Sequence, residues 1–323
     1  MNVGVYFDLR NAPRWPQDPA RLYAFTLELC EEAEGLGAHS VWLSEHHLFD
    51  DGYLPQPLTF AAAVAARTTR VRIGTAVLLA PLHGAAEIAE QVAIVDLVRD
   101  GRVELGLGAG YRVPEFELFG ADLAARYRVT DARVGELRAI WAEGRVTPAP
   151  VQPRIPIWLG YQGPQGARRA GRMGEGLLSA NAALHPPYAD GLRDGGHDPA
   201  SGRMVGSFQG FVSDDPDRDW PEVSRHLAYQ LDSYRRYLVE GTDAPAPKPV
   251  DPEWVRARDT DAPLASFLYG TPDDVAQAVR ARTAGAPVET VFFWASVGGM
   301  SEATSLQHVQ TLCTRLAPLL ADE

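Results

Sequence analysis

The feature that most constrains this chain is the recurrence of short, nearly continuous apolar runs separated by segments of helical period. The runs are "VGVYFDL" from Val3, "SVWLSEH" from Ser40, "RIGTAVLLA" from Arg72 and "RVELGLGA" from Arg102, then "PIWLGY" from Pro156, "GLLSA" from Gly176, "VGSFQGFV" from Val205 and "TVFFWA" from Thr290. Runs that do not alternate apolar with polar residues suit parallel strands buried on both faces. Between them, Leu22, Phe25 and Leu29, then Val134, Leu137 and Trp141, then Leu306, Val309, Leu312 and Leu316 recur at three- to four-residue intervals, the spacing of one helix face. Thr271-Pro272-Asp273-Asp274 and Ser301-Glu302 supply a side-chain cap and first-turn carboxylates, with a first-turn proline in the former. Eight such units predict an α/β chain forming a single (β/α)8 TIM barrel over residues 1–323, with a doubly wound open sheet as the alternative.

One stretch breaks the rhythm. Over residues 241–263, Pro245, Pro247, Pro249, Pro252 and Pro263 mix with charged residues and no period survives. A loop of that length is either a cover over an active site or a disordered insertion. Trp254, Phe267 and Leu268 give a cover something to fold down with.

The 30 basic and 42 acidic residues leave a net charge of −12, which disfavours nucleic acid or an anionic membrane as the main partner and leaves a small molecule. Cys30 and Cys313 are the only cysteines, so a disulfide framework and a cysteine-based zinc cluster are both unavailable, and a reducing cytoplasm fits. The first residues lack a basic region followed by an apolar stretch, and nowhere do about 18 apolar residues run uninterrupted. A soluble, unexported protein that holds no metal is expected.

In a barrel the reactive groups gather at the C-terminal ends of the strands. The second strand ends in Glu45-His46-His47, and parity at a strand's last residue does not settle which imidazole faces inward. One buried and one surface histidine would read the same way. "GLGAGY" from Gly106 to Tyr111 is not the dinucleotide fingerprint, because its sixth residue is Tyr111; it reads as a small-residue turn that admits a flat ligand, or as tight packing. "WLGYQGPQGARRAG" from Trp158 runs strand, glycine turn, helix, and aims backbone N–H groups at one point. No Walker loop, nucleophile elbow or His-Glu-x-x-His is present. Phe7, Trp42, Tyr53, Phe208 and Trp294 are placed near the barrel mouth as candidate walls for an apolar or aromatic substrate, although each also reads as core.

Taken together, "SEHHLFDDGYLPQPLTFAAAVAARTTRVRIGTAVLLAPLHG", "RVELGLGAGYRVPEFELFG" and "YGTPDDVAQAVRARTAGAPVETVFFWA" resemble the bacterial luciferase-like family of flavin-dependent barrel enzymes. The resemblance spans nearly the whole chain, failing mainly over residues 185–265. It implies reduced FMN in the barrel mouth, supplied by a separate reductase, with O2 and a small organic molecule as co-substrates. Glu45-His46-His47 matches the family's strand-two motif, in which the first histidine is the catalytic one. That makes His46 the proton-moving candidate, with Glu45 orienting an imidazole and His47 beside them.

Carried across by the same resemblance, Ala76-Val77 matches a non-prolyl cis peptide under the flavin ring, and backbone groups of Tyr161, Gln162 and Gly163 match the phosphate site. Ala109, Gly110 and Tyr111 match the neighbouring turn. Ala109 stands where luciferase has an arginine, so phosphate binding falls to Arg112 or to a backbone-only cradle. The resemblance also implies a homodimer formed through residues 57–69 and 85–99, which include Ile88, Val92 and Val95. Ordinary packing on the barrel explains those residues equally. Two other functions stay open: an F420-dependent oxidoreductase that transfers hydride on the same barrel, and a non-catalytic flavin-binding partner subunit. The reading ranked first is an FMNH2-dependent monooxygenase, with residues 241–263 as a lid that excludes water.

Overall fold

The computed structural model describes residues 1–253 and 267–321. All strand pairs are parallel. β1 (Asn2–Phe7), β2 (Ser40–Leu43), β3 (Arg72–Thr75), β5 (Val103–Gly108), β6 (Ile157–Leu159), β7 (Gly176–Leu178), β8 (Met204–Phe208) and β11 (Val288–Trp294) form the barrel wall, and β4 (Leu78–Leu79) continues β3. The order β3-β2-β1-β11-β8-β7-β6-β5-β4 closes on itself because β3 also pairs with β5, Ile73 opposite Val103 and Gly74 opposite Glu104. That pairing excludes the open sheet. A parallel strand covered on both sides must be apolar along its whole length, and Ser40–Leu43 and Val103–Gly108 are buried at every position.

Side-chain alternation divides the apolar residues into two layers. Tyr6, Trp42, Trp158, Val205, Phe292 and Trp294 point into the barrel and pack on one another. Val3, Val5, Phe7, Val41, Leu43, Leu105, Leu107, Val291 and Phe293 point outward into the layer shared with the helices. Each fully buried residue of this size contributes about 1.5–3 kcal/mol. Both caps expected from sequence form: Thr271 and Asp274 make a reciprocal capping box, and the Ser301 side chain accepts from the Thr304 N–H. Cys30 and Cys313 are unpaired core residues.

Two apolar runs break where the sequence predicts continuous strands. "RIGTAVLLA" divides at Ala76-Val77, a cis peptide. "VGSFQGFV" divides at Gln209: β9 (Gly210–Val212) leaves the barrel and pairs with β10 (Leu268–Gly270) in a separate two-stranded sheet. Leu268, expected in a cover, is therefore a buried strand residue. The described part of the proline-rich segment runs back along the 24-residue helix Pro216–Val239: Arg235 Nη1 donates to Lys248 O, the Val250 N–H to Asp232 Oδ1 at 2.7 Å, and Trp220 Nε1 to Glu253. The rest of that segment, including Trp254, lies outside the described residues.

Candidate active site at the barrel mouth

After Leu43 the chain leaves β2 and two carboxylates divide the histidines between them. Glu45 Oε1 accepts from His47 Nε2 at 2.8 Å and from His83 Nε2 at 2.7 Å, while Glu45 Oε2 accepts the Leu79 N–H at 2.6 Å. Burial opposes ionisation of Glu45, but the bonds from His47 and His83 outweigh it and hold the carboxyl below its usual range. Burial likewise opposes protonation of His83, and the Glu45 bond reverses that, raising the imidazole. Glu45 thus orients His47 and His83 and makes no bond to His46.

His46 has its own carboxylate. Its Nδ1 lies 2.8 Å from Glu115 Oε1, which also accepts the His47 N–H at 3.0 Å and Arg112 Nη1 at 3.2 Å. Burial works against the Glu115 charge; the His46 hydrogen bond leads the effects that overcome it, so the carboxyl sits below its usual range. An ionised carboxylate only accepts, so Nδ1 carries a proton. Nε2 lies 3.4 Å from the Tyr111 hydroxyl, and the ring is held between Phe49 (centroids 4.7 Å, stacked) and the edge of Tyr53 (4.8 Å). Glu115 lies on the short helix Val113–Leu118. No local pattern announces it, because its partner is 69 residues away.

Arg112 is engaged by the protein's own acceptors. Its fully buried guanidinium bonds to His47 O, Glu115 and Glu240, and lies 4.6 Å from the ring centroids of both Phe49 and Tyr237. The expectation that it compensates for Ala109 fails because Glu115 and Glu240 already hold the cation. Arg169, on the helix Gly163–Arg172, is engaged by Asp131.

The opposite side of the mouth is a backbone surface. Ala76 and Val77 are half-buried, and a Cβ built on Gly108 would stand 2.3 Å from Val77 Cγ2, one on Gly160 2.7 Å from Val77 Cγ1. These two glycines receive the Val77 side chain and leave the cis peptide as a flat platform. Gly110 has φ +70°, and its absent Cβ would meet Phe116 at 2.9 Å. The helix Gly163–Arg172 starts after Gln162 without a side-chain cap, so its first N–H groups remain available to an anion. The half-buried Ala76-Val77 peptide and the uncapped amides after Gln162 fit a flat ring bearing an anionic tail. The Tyr161 hydroxyl is turned to Asp131, to which it donates at 2.6 Å.

The third wall is aromatic. Tyr53 OH is a hub, 2.6 Å from Ser44 Oγ, 3.0 Å from Tyr234 OH and 3.1 Å from Tyr6 OH; the Tyr234 ring lies parallel to Trp294 at 6.3 Å. Tyr53 and Trp294 are thus joined in one wall through Tyr234. Three other aromatics lie outside it. Phe7 and Phe208 belong to the outer layer, one alternation step from the inward Tyr6 and Ser207, and Trp42 lies deep in the barrel, stacked on Phe292 at 4.5 Å. Ala109 turns its methyl into the outer core as well. Tyr234 comes from the helix Pro216–Val239, whose buried Trp220, Val223, Leu227 and Leu231 show a helical spacing that sequence reasoning passed over.

A cavity of about 380 Å3 opens at the N-terminal end of the barrel, beside Trp42 and Trp158. Its charged groups are consumed by one another, Arg72 with Glu104 and Arg203 with Glu289, as on a barrel face that serves stability. Among the described residues no group of three or more His, Cys, Asp or Glu is placed to hold a metal ion, and no helix is long and apolar enough to cross a membrane.

The family model described as luciferase-like monooxygenase matches residues 1–289. Over 188 residues the chain is 31% identical to an F420-dependent glucose-6-phosphate dehydrogenase of Amycolatopsis mediterranei, covering 51% of this chain and 56% of that protein. Over 164 residues it is 27% identical to the oxygenase component of a flavin-dependent trigonelline monooxygenase of Acinetobacter baylyi, covering 46% of each. The chain thus spans about half the length of these curated relatives. Among solved structures, the monooxygenase RslO1 of Streptomyces bottropensis superposes with a TM-score of 0.81 at 24% identity, covering 99% of this chain and all of that one, a likeness of fold.

Proposed function

The chain belongs to the luciferase-like monooxygenase family, and from that premise we propose that it is the oxygenase component of a two-component system. In this reading it takes reduced FMN from a separate reductase and uses O2 to oxygenate a small aromatic or apolar organic molecule. The observation that carries the proposal is the His46–Glu115 pair, which sets Nε2 of the imidazole beside the Tyr111 hydroxyl. An imidazole held in one orientation by a carboxylate is suited to passing a proton to and from a bound molecule.

Bound FMNH2 supplies the electrons for activating oxygen. Around it the chain's residues would bind and orient: Ala76 and Val77 would carry the ring with Gly110 and Tyr111 beside them, and the amides of Tyr161, Gln162 and Gly163 would hold the phosphate. His46 handles the proton, Glu115 fixes its tautomer, and Glu45 holds His47 and His83 in the adjoining wall. Tyr53 and Trp294 border the substrate. The reading further takes residues 1–323 as one domain, residues 241–263 as a cover, a homodimer as the assembly and the cytoplasm as the location.

The second reading is F420-dependent hydride transfer. It is favoured by the identity shared with the glucose-6-phosphate dehydrogenase relative, and in it His46 protonates or deprotonates the substrate oxygen instead. An anaerobic titration with FMNH2 and, separately, with reduced F420, followed by mixing with oxygenated buffer, separates the two. Tight FMNH2 binding with slow, multiphase reoxidation supports the monooxygenase. Selective binding of F420 that is stable to oxygen overturns it.

A further inference from the structure

One group in the mouth has no task in the reaction outlined above. Asp8 follows β1 at the next inward position after Tyr6, is only 4% exposed, and its Oδ2 is buried without a hydrogen-bond partner. A buried carboxyl oxygen left unpaired costs about 1–3 kcal/mol, more when ionised. Two residues on, Arg10 is held by Asp51, Nη2 to Oδ2 at 2.7 Å, yet its Nη1 is also buried and unpaired. Between them Leu9 takes φ +53°, a left-handed conformation that non-glycine side chains rarely adopt. The inward–outward alternation of β1 carries on through this turn: Leu9 goes to the outer core while Asp8 and Arg10 share the inner side. An acceptor and a donor thus sit together beside the tyrosine wall, on either side of a left-handed residue.

We propose that Asp8 is a catalytic base of the substrate pocket, and that the substrate carries an acidic hydroxyl, a phenol or an enol, which it loses to Asp8 with Arg10 facing the oxyanion formed. The inference rests on the reading of this mouth as the substrate site. In the step, the substrate O–H bond breaks, the proton goes to Asp8 Oδ2, and the electron pair stays on the substrate oxygen. No oxidation occurs; the oxyanion raises electron density at the ring or enol carbon that takes up oxygen. The groups facing Asp8 are Tyr6 on β1, Arg10, Asp51 and Tyr53 from the loop after β2, and Tyr234 from the helix Pro216–Val239. Burial pushes the Asp8 carboxyl up to about 7, with Arg10 opposing and Asp51 adding to the rise, which suits proton exchange near neutral pH.

The test compares 4-methylphenol with 4-methylanisole, which differ in the O–H alone, by calorimetric binding to the full chain at pH 8 and pH 5.5. At pH 8 the ionised Asp8 favours the phenol by roughly tenfold, the worth of one hydrogen bond to a charged acceptor. The preference shrinks at pH 5.5, and Asp8→Asn abolishes it at pH 8 while leaving the anisole affinity and FMN binding unchanged. Equal affinity for the two probes in the unmodified protein, or an unchanged preference in Asp8→Asn, overturns the proposal. Loss of FMN and F420 binding by the unmodified protein would instead overturn the cofactor reading, so the two failures are distinct.

Discussion

Glu115 and His46, 69 residues apart, meet at 2.8 Å with the carboxylate fully buried. The pairing gives the imidazole a fixed tautomer and ties the helix Val113–Leu118 to the end of β2. Glu115→Gln can offer its amide N–H to Nδ1 and so reverse the tautomer. Turnover is expected to fall on the order of 10²-fold, with flavin affinity kept. Stopped-flow turnover combined with flavin titration checks this; equal turnover in both forms would remove Glu115 from any part in catalysis.

His46→Ala removes the proton-handling group and is expected to lower turnover on the order of 10²–10⁴-fold, with partial recovery on adding imidazole. His47→Ala leaves Glu45 still bonded to His83 and the Leu79 N–H. Its effect is expected in stability, about 1–2 kcal/mol by chemical denaturation, with little change in turnover.

Gly108→Ala sets a methyl 2.3 Å from Val77 Cγ2. The Val77 side chain has to leave its notch, and overpacking of this kind costs about 1–3 kcal/mol. Weaker FMN binding with an unchanged circular-dichroism spectrum is the expected outcome, since the platform tilts while the barrel holds. Gly35→Ala, where nothing lies within 4 Å of the added carbon, is the control and is expected to bind FMN normally.

His308 gives a pH signature. Fully buried, stacked on Phe211 at 4.2 Å and accepting the Val212 N–H at Nε2, it is pushed down to about 4 by burial. The unfolded chain, whose histidine titrates near 6.5, binds a proton there before the native state does. Stability is therefore full above pH 6.5 and is lost as pH falls towards 4, by about 3 kcal/mol at most. His83, held up by Glu45, acts in the opposite sense: its contribution is full below pH 6.5 and fades as pH rises through its elevated value. His308→Gln keeps an acceptor for Val212, and urea denaturation at pH 7.5 and pH 5 should show a smaller difference in this variant than in the parent.

The barrel was readable from sequence because a parallel strand buried on both faces leaves a local trace, an unbroken apolar run, and because Thr271 and Ser301 cap the helices they precede. Inward and outward were not readable at the ends. Phe7 and Phe208 were placed one step off because an all-apolar strand carries no alternation to count. Glu115, His83 and Tyr234 escaped because their roles arise from contacts across 69, 38 and 181 residues, for which a single sequence holds no signal. Ala76-Val77 was found by resemblance alone; nothing in two small apolar residues announces a cis bond.

Arg112 has a consequence for how such a protein changes over generations. One nitrogen of its guanidinium serves Glu115 and His47 O; another serves Glu240, the last residue before Gly241. The stretch that begins at Gly241 is rich in proline and has no regular structure over residues 241–251. Its first fixed point is nonetheless the same cation that steadies the acid–base pair. Lengthening or shortening it is felt at the imidazole unless Glu240 keeps its place, because Arg112 joins Glu240 to Glu115 and to His47 O.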